Sequence, residues 1–95
     1  MNLELFSSKK GNPEPNLVAI QAADLDMLPT VLVCPFLPDK PVTAVRVRVT
    51  VSGRPYTVMC ELARPINRQL LTRVGELDEE ASRRIMETFT LLLAR

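Results

Sequence analysis

This 95-residue chain has no tryptophan and no histidine, and its aromatic side chains are three phenylalanines and one tyrosine. The scarcity of aromatics removes the usual stacking platforms for single-stranded nucleic acid. Without histidine the chain lacks the commonest general base and metal ligand, so histidine-dependent catalysis is excluded. No stretch approaches the roughly 20 apolar residues of a membrane span, and the N-terminus lacks a basic region followed by an apolar core. A cytoplasmic protein without membrane contact is expected. Glycine-rich phosphate loops, Cys-x-x-Cys metal spacing and a nucleophile beside an obvious base are also missing. No catalytic residue, metal or cofactor is therefore expected, and the chain does not read as an enzyme.

What is present is enough apolar sequence, 46% of the chain, for one core in a single domain spanning residues 1–95. Function must then sit on the surface or at an oligomer interface. The net charge is +1, too small for a polycation. Its distribution says more: Arg46, Arg48, Arg54, Arg64, Arg68 and Arg73 share their segment with one acid, Glu61, whereas Glu76 to Glu87 holds five acids against two arginines. A basic middle and an acidic flank follow.

The stretch RVRVTVSGRPYTVMCEL, beginning at Arg46, alternates with period 2. Val45, Val47, Val49 and Val51 belong to a buried face, and Arg46, Arg48 and Thr50 to the opposite one. The chain turns at Ser52-Gly53-Arg54-Pro55, and Tyr56–Leu62 reads as the returning strand. The arginine face is either solvated surface or a platform for an acidic partner. Further strands are expected near Leu3–Phe6, at Leu17–Gln21 and at Thr30–Cys34, where Pro35 should end the run. The segment 22–29 reads as an irregular crossing, with Asp24 and Asp26 as solvated or capping residues. The segment from Leu62 to Val74 contains Pro65 and shows little periodicity; it reads as a turn followed by a short helix or strand, a break between sheet and tail. From Asp78, a good N-cap, the period becomes helical through Leu77, Ala81, Ile85, Thr88, Phe89 and Leu92. The fold class is mainly β (α+β): about five strands in a small SH3-like antiparallel barrel, then a C-terminal α-helix. Cys34 and Cys60 fall in apolar runs and read as buried free thiols. Lys9 and Lys10 mark a hairpin tip, either solvated or in contact with nucleic acid or an acidic protein segment.

The opening LELFSSKKGNPEPNLVAIQAADLDMLPTVLVCPFL and the later VSGRPYTVMCELARPINRQLLTRVGEL resemble the CcdB toxins of toxin-antitoxin modules. More distantly the chain is similar to the MazF/PemK toxins that share their SH3-like barrel. The resemblance covers nearly the whole chain and rests on patterns of apolar and turn residues. It implies a homodimer with C-terminal helices side by side, a protein antitoxin wrapped around it, and inhibition of DNA gyrase, a topoisomerase, through its A subunit. The gyrase contact would then use Met86, Phe89, Thr90, Leu93, Ala94 and Arg95. Where the family's gyrase poisons finish in Trp-Gly-Ile, this chain finishes Leu93-Ala94-Arg95, without the aromatic anchor. The alternative is a MazF-like endoribonuclease toxin. Its Arg-Pro and Pro-x-Thr elements are replaced here by Glu14-Pro15 and Pro35-Phe36-Leu37, although Arg46, Arg48, Arg64 and Arg68 could bind RNA electrostatically. A divergent non-toxic interaction module is the third reading. Contact with the antitoxin or with nucleic acid is expected of Lys9, Lys10, Arg46, Arg48, Arg64 and Arg68.

Overall fold

The computed structural model describes residues 2–9, 14–21 and 28–93. In chain order these form β1 (Glu4–Ser7), β2 (Leu17–Ala19), β3 (Thr30–Leu37), β4 (Arg46–Val51), β5 (Arg54–Met59), β6 (Arg64–Asn67), β7 (Thr72–Glu76) and the helix α1 (Glu79–Leu93). Short 3₁₀ turns occupy Cys60–Leu62 and Arg68–Leu70. The strands run β4-β5-β3-β2-β1-β7 in space, with β6 added to β3, and every pairing is antiparallel. The result is the expected mainly β antiparallel fold with one C-terminal helix, a half-barrel of seven strands among the described residues where about five were expected.

The β4–β5 hairpin forms as its alternation requires. Ser52 and Gly53, with φ of 52° and 78°, make a two-residue turn with both residues left-handed, the twist that matches flanking strands. Val47, Val49 and Val51 are buried, while Arg48 and Thr50 are exposed. Arg54 and Pro55, read above as turn residues, are already in β5, opposite Val51 and Thr50.

Two faces of the central strands are buried. Leu5, Val18, Cys34 and Phe36 join the β4–β5 valines and Ile85 in one cluster, whereas Phe6, Leu17, Ala19, Val31 and Val33 form a second cluster on the opposite face. A strand covered on both sides reads as a continuous apolar run, and Leu17-Val18-Ala19-Ile20 is one. The helix closes the first face. Asp78 caps it by accepting from the Ala81 N–H at 2.7 Å, Glu79 and Glu80 sit at its positive end, and Ala81, Ser82 and Ile85 are buried. Ser82 Oγ accepts the Leu3 N–H at 2.9 Å and so ties the helix to the start of β1.

Three sequence expectations are corrected. Pro35 does not end β3, which continues to Leu37 with Pro35 opposite Leu17. Phe36 N–H points to the Asn16 carbonyl, so the missing Pro35 donor faces the other edge, where β3 changes partner from β6 to β5. The returning strand stops at Met59, because Cys60–Leu62 winds into a 3₁₀ turn. The segment from Leu62 to Val74, read as a turn with one short helix or strand and a break in the sheet, holds β6 and most of β7 instead, and β7 pairs with β1. Both are short strands with little buried surface of their own. Their main-chain partners hold them, a contribution that leaves no hydrophobic period. The segment 22–27, with Asp24 and Asp26, lies outside the described residues.

Candidate functional site

At one end of the half-barrel, β1 leaves the sheet, the chain returns at residues 14–16 into β2, β3 ends at Leu37-Pro38, and β5 begins. These four edges enclose a cleft of about 410 Å³ lined by Ser7, Lys9, Glu14, Pro15, Asn16, Phe36, Leu37, Pro38, Arg54 and Tyr56. Its walls are held locally. The Asn16 N–H donates to the Phe6 carbonyl at 3.0 Å, and its own carbonyl accepts from Phe36 at 3.1 Å. The Asn16 side chain accepts the Ser8 N–H at 3.0 Å and donates to Ser8 Oγ at 2.8 Å. One asparagine thus fastens three chain segments. Buried Ser7 Oγ accepts the Lys9 N–H and donates to the Lys9 carbonyl, both at 3.2 Å, which fixes the backbone that carries the lysine. Tyr56 meets Phe36 edge to face, with ring centroids 5.2 Å apart and planes at 77°, so the aromatic wall is fixed too.

The pleat decides which arginine enters the cleft. Cross-strand partners share a face, and Arg54 and Tyr56 pair with the inward valines Val51 and Val49. They therefore lie on the inner face, at the open end beyond the core. Arg46 and Arg48 pair with Met59 and Thr57 on the outer face. Arg46 Nε donates to Glu61 Oε2 at 2.8 Å, and Arg48 is exposed. Arg64 is exposed on β6, and Arg68 Nε donates to the Leu28 carbonyl at 2.9 Å. Of the six basic residues singled out from the sequence, Lys9 lines the cleft, Arg46, Arg48, Arg64 and Arg68 do not, and Lys10 lies outside the described residues.

Sequence reasoning missed Arg54, Tyr56 and the contribution of Glu14. A signal for the first two existed: counted back across the two-residue turn, Arg54 and Tyr56 are in phase with the valines. Glu14 carried no such signal, since its place depends on how the β1–β2 connection returns. The cleft combines two cations, Lys9 and Arg54, with one carboxylate and two aromatic rings. Such a set can hold a phosphodiester, neutralise charge that develops on it, and accept a proton from a neighbouring hydroxyl.

The residues expected at the helix tip separate. Met86 and Thr90, with Arg83, Glu87 and Leu91, line a second concavity of about 580 Å³ along α1. Phe89 is half-buried against the main core, and Leu93 is 72% exposed. Ala94 and Arg95 lie outside the described residues.

No protein-family model and no curated protein matches this sequence. Solved structures do match its fold. The toxin MazF-mt6 of Mycobacterium tuberculosis superposes with a TM-score of 0.74 at 15% identity, covering 99% of this chain and 97% of that one. An endoribonuclease in complex with its cognate antitoxin, from a mycobacterial species, gives 0.74 at 11% identity over 97% and 91%. The MazE-MazF structure of Deinococcus radiodurans gives 0.70 at 12% identity over 97% and 89%. The chain thus has the fold of these structures, two of which are MazF toxins. This corrects the expectation that the chain is not an enzyme. Proteins with this fold include an endoribonuclease, and a missing sequence signature gives no ground for excluding catalysis. Gyrase finds no support among these neighbours.

Proposed function

We propose that this protein is the toxin of a toxin-antitoxin pair and acts as a MazF-type endoribonuclease on single-stranded RNA, with the cleft at the barrel end as its active site. The observation that carries the reading is the meeting of Lys9, Arg54 and Glu14 in one cleft of the fold that MazF toxins share. Cutting RNA without histidine needs a base for the ribose 2′-hydroxyl, a cation for the equatorial phosphoryl oxygens and an acid for the departing 5′ oxygen. Glu14 is assigned the first role, Arg54 the second and Lys9 the third. As the 2′ oxygen bonds to phosphorus and the P–O5′ bond breaks, the products are a 2′,3′-cyclic phosphate and a 5′-hydroxyl. Tyr56, held by Phe36, offers a ring for one base beside the scissile bond. The antitoxin is assigned to the outer arginines and to the exposed helix face, where an acidic, initially disordered segment gains on-rate from charge and affinity from apolar anchors.

The test is incubation of the purified protein with a mixed-sequence single-stranded RNA, with product ends mapped by mass spectrometry. Cyclic-phosphate ends from the native protein, and a rate lower by about 100-fold or more in Glu14→Gln, are expected. Intact RNA, or cleavage unaffected by Glu14→Gln, would refute the site.

A further inference from the structure

We infer that Cys34 and Cys60 are a redox modification site, a buried dithiol that hydrogen peroxide converts into a disulfide joining β3 to the 3₁₀ turn Cys60–Leu62.

The geometry comes from strand register. Phe36 lies opposite Val58 and Leu37 opposite Thr57, so two steps along the same antiparallel register bring Cys34 opposite Cys60. The Cys60 N–H is used on the other side, donating to the Val45 carbonyl at 3.2 Å. Towards β3, Cys60 therefore stands at a non-hydrogen-bonded position, the kind at which opposed side chains come closest. Both cysteines are free, exposed by 0% and 1%, and belong to the same apolar cluster. The two thiols interact with each other, and that interaction together with burial pushes the Cys34 pKa up.

Position orders the chemistry: Cys60 stands in the short turn that ends at half-exposed Leu62, whereas Cys34 lies in the middle of β3, so peroxide meets Cys60 first. Cys60, as thiolate, attacks one peroxide oxygen and the O–O bond breaks. The proton Cys60 has lost joins the departing hydroxide as water, and Cys60 becomes a sulfenic acid. The Cys34 sulfur then attacks the Cys60 sulfur, the S–O bond breaks, and the Cys34 proton leaves with the hydroxide as a second water. Two thiols give up two electrons and two protons, and one peroxide becomes two waters. Access requires a local opening. The turn is three residues long, and Leu62 at its end is 50% exposed, so this is a short segment to displace. Oxidation should accordingly be slower than that of free cysteine. It should also stop at the disulfide, because the resolving thiol stands opposite in the extended register and in the same apolar cluster. This site is independent of the cleft's chemistry.

The experiment treats the full chain with hydrogen peroxide, alkylates remaining thiols under denaturing conditions, and measures intact mass with a non-reducing peptide map. The expected result is a chain lighter by two hydrogens, a Cys34–Cys60 linked peptide pair, reversal by dithiothreitol, and a thermal midpoint raised by about 5 °C or more. Two alkylated thiols after exposure, a stable sulfinic acid on either cysteine, or disulfide-linked dimers would overturn it. In Cys34→Ala, dimedone should label Cys60, and in Cys60→Ala, Cys34 should stay reduced. Labelling of Cys34 in the latter removes Cys60 as the attacking sulfur. Should either variant fail to fold, the map of the native chain still decides.

Discussion

Truncating Arg54 to alanine tests both the cleft and the pleat that forms it. Arg54 is exposed and makes no ion pair with a described residue, so its removal should change stability by less than about 0.5 kcal/mol. Its effect on cleavage follows from the charge it presents. A unit charge about 4 Å from the transition-state phosphoryl is worth about 1 kcal/mol in water and about 4 kcal/mol at an effective dielectric constant near 20. The cleft is open to solvent on one side and walled by Phe36 and Tyr56 on another, which places it between these limits, at about 2.5 kcal/mol. That corresponds to roughly a 70-fold loss of rate. Arg48, on the outer face, is the matched control. At about 10 Å or more through solvent at physiological ionic strength, its charge contributes about 0.1 kcal/mol, a rate change below about 1.3-fold. The assay is single-turnover cleavage of an end-labelled RNA by Arg54→Ala and Arg48→Ala at matched folded concentration. Equal losses in the two variants, or full activity in Arg54→Ala, would refute the assignment of the inner face to the phosphate.

Replacing Ser82 with alanine strands the buried Leu3 N–H, which no other described group accepts, and should cost about 1–3 kcal/mol in urea unfolding; a change below about 0.5 kcal/mol would mean that this tie is dispensable. Glu80 is held below its usual 4.5 by the hydrogen bond and charge of Arg83. A carboxylate whose pKa is lower folded than unfolded stabilises the fold above pH 4.5, and that contribution is lost as pH falls through the lowered value. Helix ellipticity followed downward from pH 6 should therefore fall less in Arg83→Ala than in the native chain, by a small amount because both groups are exposed. Leu91, 69% exposed, lines the same concavity as Met86 and is surplus apolar surface of the kind that dimers bury. Sedimentation should find a two-fold dimer at micromolar concentration and a shift to monomer in Leu91→Glu; a monomeric native chain rules out this interface.

Local order was legible where side chains themselves enforce it. The alternating valines of β4, the left-handed demand at Ser52-Gly53, the Asp78 cap and the helical spacing from Ala81 to Leu92 are consequences of short-range sterics and one buried face, and each formed as its residues require. Long-range pairing decided the rest. Strands β6 and β7 exist because β3 and β1 have main-chain groups to satisfy, and Pro35 stays inside β3 because its missing donor falls where that strand changes partner. The cleft belongs to this second class. Lys9 and Glu14 are near neighbours between β1 and β2, but Arg54 stands 40 residues further on at the start of β5 and joins them only when the sheet brings that hairpin end beside theirs. The arginine pattern that looked functional on β4 was turned away from that opening by the same alternation that made the strand readable. Charge distribution is written in the sequence, but the direction a charge faces relative to a distant loop depends on the closure of the barrel.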